Sequence, residues 1–161
     1  MSGAPPYVAV AGTGEADAAT AALAEEVGRG LGEAGAVLVC GGLGGVMEAA
    51  SRGAAGAGGT VIGIVPSASP DDANPHCTHV VATGIGQARN LAVVASGEAV
   101  IAVGGAWGTL SEIGFARRLE RQVVTLRSWR AQGDGPMAEM PGVSAAESAA
   151  EAVSAALAAA R

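Results

Sequence analysis

Short runs of aliphatic and β-branched residues alternate along this chain with alanine-rich segments of helical length. The runs Tyr7–Ala11, Ala36–Cys40, Thr60–Val65, His79–Ala82, Ala99–Val103 and Gln122–Leu126 are short and mostly apolar, the pattern of strands buried on both faces of a parallel sheet. The intervening segments predict helices over Ala16–Glu33, Gly45–Ala57, Gly86–Ser96 and Thr109–Glu120, with a last helix over Ser144–Ala160. Strand and helix in regular alternation make βαβ units.

The expected fold is therefore α/β, a single Rossmann-like doubly wound parallel sheet flanked by helices, spanning 1–161 as one domain. Two stretches interrupt the alternation. Pro66–Thr78 carries Pro66, Pro70 and Pro75 among Ser, Asp and Asn, and Ser128–Gly142 carries Gly133, Gly135, Pro136, Pro141 and Gly142; both are expected to be surface loops. With aromatics at only 2%, the core has to be built from Val, Ile, Leu and Ala in closely packed layers.

Charge and composition narrow the function classes. A net charge of −6 opposes general nucleic-acid binding, which needs a basic surface to displace counterions from phosphates. All nine basic residues are Arg, so neither a Walker A lysine nor a pyridoxal-phosphate Schiff base can form. Met1–Pro6 lacks the basic and apolar start of a signal peptide, and no apolar run approaches a membrane span of ~20 residues, so a cytoplasmic protein without a membrane partner is expected. Cys40 and Cys77 read as isolated thiols suited to a reducing compartment. His76, Cys77 and His79 cluster in sequence but lack a fourth ligand, and no metal site is expected.

In open parallel sheets ligands bind beyond the carboxyl ends of the strands, where four segments stand out. Gly12 and Thr13, with Gly14, follow the first strand and combine close backbone approach with a hydroxyl. Gly41, Gly42, Gly44 and Gly45 crowd the turn after the second, leading through Met47 into a helix whose amides can attract phosphate; Glu48 and Arg52 have the spacing of a surface ion pair. Arg89 lies at a helix start, where a cation opposes the helix dipole and invites a ligand phosphate. Gly104, Gly105, Trp107, Gly108, Thr109 and Glu112 form the last glycine-rich helix start. Thr109 and Glu112 also have the spacing of a capping box, and Trp107 fits either a lid over a base, sugar or dimer partner, or a core plug.

The second and last of these segments resemble the paired glycine motifs of the LONELY GUY phosphoribohydrolases, over roughly Tyr7–Leu126. Against that family's P-G-G-x-G-T-x-x-E signature, Gly105, Gly108, Thr109 and Glu112 are retained, while Gly104 stands for the proline and Ala106 for a glycine. Asn90 follows Arg89 where the family has lysine. The resemblance implies hydrolysis of the N-glycosidic bond of a nucleoside 5′-monophosphate, with Arg89 and Glu112 as catalytic residues. Ala88-Arg89-Asn90 and the Gly104–Glu112 turn are closer to a sibling group of Rossmann-fold nucleotide-binding proteins that includes molybdenum-cofactor carrier proteins. This implies a small phosphorylated ligand, AMP-like or the molybdenum cofactor, with no required cofactor, and a homodimer.

Overall fold

The computed structural model describes residues 3–128 and 140–160. Seven strands, β1 (Tyr7–Gly12), β2 (Val37–Cys40), β3 (Thr60–Val65), β4 (His79–Ala82), β5 (Ala99–Val103), β6 (Gln122–Leu126) and β7 (Val143–Ala146), form one sheet. Five helices connect or follow them: α1 (Ala18–Glu33), α2 (Val46–Gly56), α3 (Arg89–Ser96), α4 (Trp107–Arg118) and α5 (Ala149–Ala159). The strand order is β4-β3-β2-β1-β5-β6-β7 and every pairing is parallel. The fold is thus an α/β Rossmann-like sheet. From β1 the chain winds outward to β4 and then returns to lay β5 on the other side of β1. This reversal opens a crevice at the carboxyl ends of β1 and β5.

The strands are apolar on both faces because both faces are covered. Val8 and Val10, Leu38 and Cys40, and Ala99, Ile101 and Val103 point into one core with buried residues of α1, α2 and α5. Their alternates, Ala9 and Ala11, Val37 and Val39, and Val100 and Ala102, point into a second core beneath α3 and α4. The period of two sorts each strand between the two layers.

Small residues bring α1 and α2 into backbone contact. A Cβ on Gly28 would lie 1.9 Å from the Ala50 carbonyl oxygen, and one on Gly53 would lie 2.0 Å from that of Glu25. Arg52 reaches across this seam to Glu25, its Nη2 2.9 Å from Oε2. The surface pair expected between Glu48 and Arg52 is therefore replaced by an interhelical one, because close packing puts the neighbouring carboxylate within reach.

Other expectations need correction. The helix expected from Ser144 begins only at Ala149, capped by the Ser148 side chain, which accepts a hydrogen bond from the Glu151 amide. Val143–Ala146 instead forms β7, paired with β6 from Val123↔Val143 onward. Local composition favours a helix there, and the open edge of β6 overrides it. Likewise α3 starts at Arg89, after a single 3-10 turn over Gly86–Ala88. Most of the expected Ser128–Gly142 loop lies outside the described residues.

Gly28→Ala tests the α1–α2 seam. Alanine favours an isolated helix by about 1 kcal/mol, yet overpacking here is expected to lower unfolding stability by roughly 2 kcal/mol or more. The urea midpoint reads the effect; an unchanged midpoint would show that the helices separate without cost.

Candidate functional site

Segments following β1, β2, β4 and β5 meet at the switch point around a cleft of about 240 Å³. Of the residues expected to bind or react, Gly12, Thr13, Met47, Arg89, Gly108, Thr109 and Glu112 line it. Gly14, Leu43, Gln87, Asn90 and Ala106 line it as well. Gly14 belongs to the segment the sequence marked after the first strand, and Asn90 and Ala106 were marked there only as departures from the resembled motifs; Leu43 and Gln87 were given no role in advance.

Gly41, Gly42, Gly44, Gly45, Gly104, Gly105 and Trp107 do not belong to the lining, and several of these glycines answer to packing. A Cβ on Gly45, which has φ of +63°, would lie 2.3 Å from the Thr13 carbonyl oxygen. One on Gly42 would press on Val65, and one on Gly104 would touch Thr20. Gly12 has the same constraint, its Cβ position being 2.3 Å from Val46 Cγ1. Gly41 makes room for the site itself: a Cβ there would come within 2.6 Å of Met47 Sδ and 2.8 Å of Arg89 Nη2. A Cβ on Gly14 or Gly108 would meet nothing closer than 4.0 Å, and both residues line the cleft.

Arg89 is the first residue of α3 and only 4% exposed. Its Nη1 donates to Asn90 Oδ1, while its Nε is buried without a partner. Burial lowers the guanidinium pKa and the negative charge of Glu112 opposes that shift. Glu112, on α4, is 6% exposed, and burial pushes its carboxyl up to about 7 against the pull of Arg89. The two groups act on each other through the site without forming one of the direct ion pairs found among the described residues.

The capping-box arrangement of Thr109 and Glu112 is not formed. Helix α4 begins two residues earlier, at Trp107, with Ala106 at the N-cap and no side-chain cap. Thr109 thereby falls inside the first turn, 1% exposed, with its Oγ1 unpartnered. Trp107 is 79% exposed, which rules out a core plug. Helix α2 also starts without a side-chain cap. Two uncapped helix starts, a buried arginine and a buried hydroxyl together make a site chemically suited to an anion.

Cys40 and Cys77, expected to be separate, are brought side by side: Cys77 Sγ lies 2.5 Å from where a Cβ on Gly63, the register partner of Cys40, would stand. The His76, Cys77 and His79 cluster does not converge: His79 Nδ1 pairs with Thr78 Oγ1 at 3.0 Å, and no group of three or more His, Cys, Asp or Glu suited to a metal occurs among the described residues. No helix among them is long and apolar enough to cross a membrane.

With its parallel sheet and switch-point cleft the chain is a Rossmann-like protein, and a matching family model places it in the LOG-like superfamily. Within that superfamily the chain belongs to the SLOG cluster4 family, whose model matches residues 5–158. An uncharacterised protein of Archaeoglobus fulgidus is 43% identical over 120 residues, covering 74% of this chain and 79% of the relative. Among solved structures, the molybdenum cofactor binding protein of the phototrophic bacterium Rippkaea orientalis is similar at 33% identity and a TM-score of 0.87, covering 98% of both chains. The molybdenum cofactor carrier protein of Chlamydomonas reinhardtii is similar at 28% identity and a TM-score of 0.84, covering 96% of this chain and 98% of that one.

The raised pKa of Glu112 has a definite pH signature. Below its ordinary value of 4.5 the group is protonated in both folded and unfolded chains and costs nothing. As pH rises toward about 7 the unfolded chain releases the proton while the folded one keeps it, so stability falls, and above that value the loss is complete. The full loss is up to roughly 3 kcal/mol. Glu112→Gln should remove it, so that urea midpoints of variant and wild type draw together near about pH 5 and separate near about pH 8, the variant being the more stable. Parallel curves would place the carboxyl in a solvated setting.

Proposed function

We propose that this protein binds and carries a small phosphate-bearing cofactor or nucleotide in the switch-point cleft, with the molybdenum cofactor as the favoured cargo. The observation that carries this reading is the pair of buried, unpartnered donors at the cleft, Arg89 Nε and Thr109 Oγ1. Each costs about 1–3 kcal/mol while unsatisfied, and an anionic ligand that accepts from both recovers that cost. The uncapped starts of α2 and α4 add backbone dipoles of the right sign. Full-length similarity to a molybdenum cofactor binding protein at 33% identity supports the choice of cargo. Within this scheme Gly14 and Gly108 give the ligand backbone access, Met47 and Leu43 form an apolar wall, and Trp107 stands beside the opening.

A second reading, cleavage of a nucleoside 5′-monophosphate to base and ribose 5-phosphate, is favoured by one feature. A carboxyl with a pKa of about 7 can exchange protons at neutral pH, and Glu112 in its ionised form can position water or stabilise an oxocarbenium ion. Leu91 on α3, Phe115 on α4 and Leu119 just past its end are exposed apolar side chains on one side of the sheet, which supports a homodimer. Light scattering at micromolar concentration checks the assembly, and a monomer mass would overturn it.

Incubation of the purified protein with AMP, with release of adenine and ribose 5-phosphate followed alongside binding of AMP and of the molybdenum cofactor, separates the two readings. The carrier predicts saturable binding without release, retained in Glu112→Gln and weakened at least about tenfold, or 1.4 kcal/mol, in Arg89→Ala. Release that disappears in Glu112→Gln while binding persists would instead establish the hydrolase. Neither binding nor release would overturn both.

A further inference from the structure

Cys40 ends β2 and immediately precedes the Gly41–Gly45 turn, its side chain fully buried on the α1/α2 side of the sheet. Its Sγ lies 3.5 Å from Ser51 Oγ on α2. The strand register sets Cys40 beside Gly63 of β3, a residue with no side chain. Cys77 fills that space: its Sγ is 2.5 Å, and its Cβ 3.3 Å, from where a Cβ on residue 63 would stand. A thiol from a distant loop thus occupies the side-chain position next to Cys40.

The Cys77 loop is also fastened to the glycine turn. The Asn74 amide donates to the Gly42 carbonyl at 2.8 Å, and Asn74 Nδ2 donates to the Leu43 carbonyl at 3.0 Å. Leu43 and Met47 line the cleft. A covalent link between the sulfurs would therefore add a permanent tie between residues 74–77 and a wall of the binding site. Cys77 is half-buried, whereas Cys40 is sealed from solvent.

We propose that Cys40 and Cys77 are a reversible disulfide site that reacts with low-molecular-weight disulfides and, when closed, latches residues 74–77 onto the Gly41–Met47 turn. The Cys77 thiolate attacks one sulfur of RSSR, forming a mixed disulfide and releasing RS⁻. The Cys40 thiolate then attacks the Cys77 sulfur and displaces the second RS⁻. The two cysteine protons end on the released thiolates, so the protein loses two electrons and two protons to give one S–S bond and two RSH. Excess thiol reverses both steps. The neighbouring Cys40 and burial push the Cys77 thiol up while the Cys40 thiol is held down at about 7, so at neutral pH Cys40 is the thiolate of the pair and takes the proton that Cys77 gives up as it attacks.

The test is exposure of the purified folded protein to glutathione disulfide, followed by alkylation, mass spectrometry and amide hydrogen exchange. The wild type is expected to lose two hydrogens, to yield a linked Cys40–Cys77 peptide pair that dithiothreitol separates, and to show slower exchange over residues 42–47 in the oxidised form. Cys40→Ser should stop at the first step and retain one glutathione on Cys77. Cys77→Ser should leave Cys40 unmodified until the chain is unfolded. A wild type that keeps glutathione on Cys77 with Cys40 still alkylatable would overturn the site, and a linked protein with unchanged exchange at 42–47 would overturn the latch.

Discussion

Placing a guanidinium inside a protein of net negative charge, at the carboxyl edge of its sheet, is the constraint around which the rest of this molecule is arranged. An isolated buried charge is costly, so Arg89 needs acceptors close by and an opposite charge within range. Asn90 provides the first and Glu112 the second. The arrangement is incomplete, since Nε has no partner, and Glu112 is itself buried deeply enough to resist ionisation. A site held short of electrostatic closure in this way suits the anionic ligand proposed for it.

The glycines around that site fall into two physical kinds. Gly12, Gly41 and Gly45 are required because neighbouring atoms occupy the place a side chain would take: Val46 at Gly12, the Arg89 guanidinium and Met47 at Gly41, the Thr13 carbonyl at Gly45. Gly14 and Gly108 face the cleft. The first kind builds the cradle and the second leaves it open. A dense glycine turn therefore signals close approach without saying whether protein or ligand does the approaching. At Gly41 the approaching group is the Arg89 guanidinium.

How much was legible in advance follows from which interactions are local. The apolar runs announced six of the strands because a central parallel strand must be apolar on both faces to be buried at all. Val143–Ala146 was hidden, its alanines being equally suited to a helix until the edge of β6 claims them. Arg89 and Glu112 stood out by their positions at helix starts. The start of α4 did not, since Thr109 and Glu112 have a capping spacing that only the actual helix start, at Trp107, takes away. Arg52 could be paired locally with Glu48 on paper, but the α1–α2 contact offered Glu25 at shorter range.

By itself, then, the sequence determined the α/β class, the position of the cleft at the strand carboxyl ends and the absence of lysine chemistry. These depend on periodicity and residue type, properties carried by each short segment. The tertiary structure decided which glycines are structural, that Glu112 is buried and hard to ionise rather than a cap, that Thr109 and Arg89 retain unpartnered donors, and that Cys77 enters the space over Gly63 to reach Cys40. Burial and long-range contact arise only when segments distant in the chain are packed together, so no single segment could reveal them.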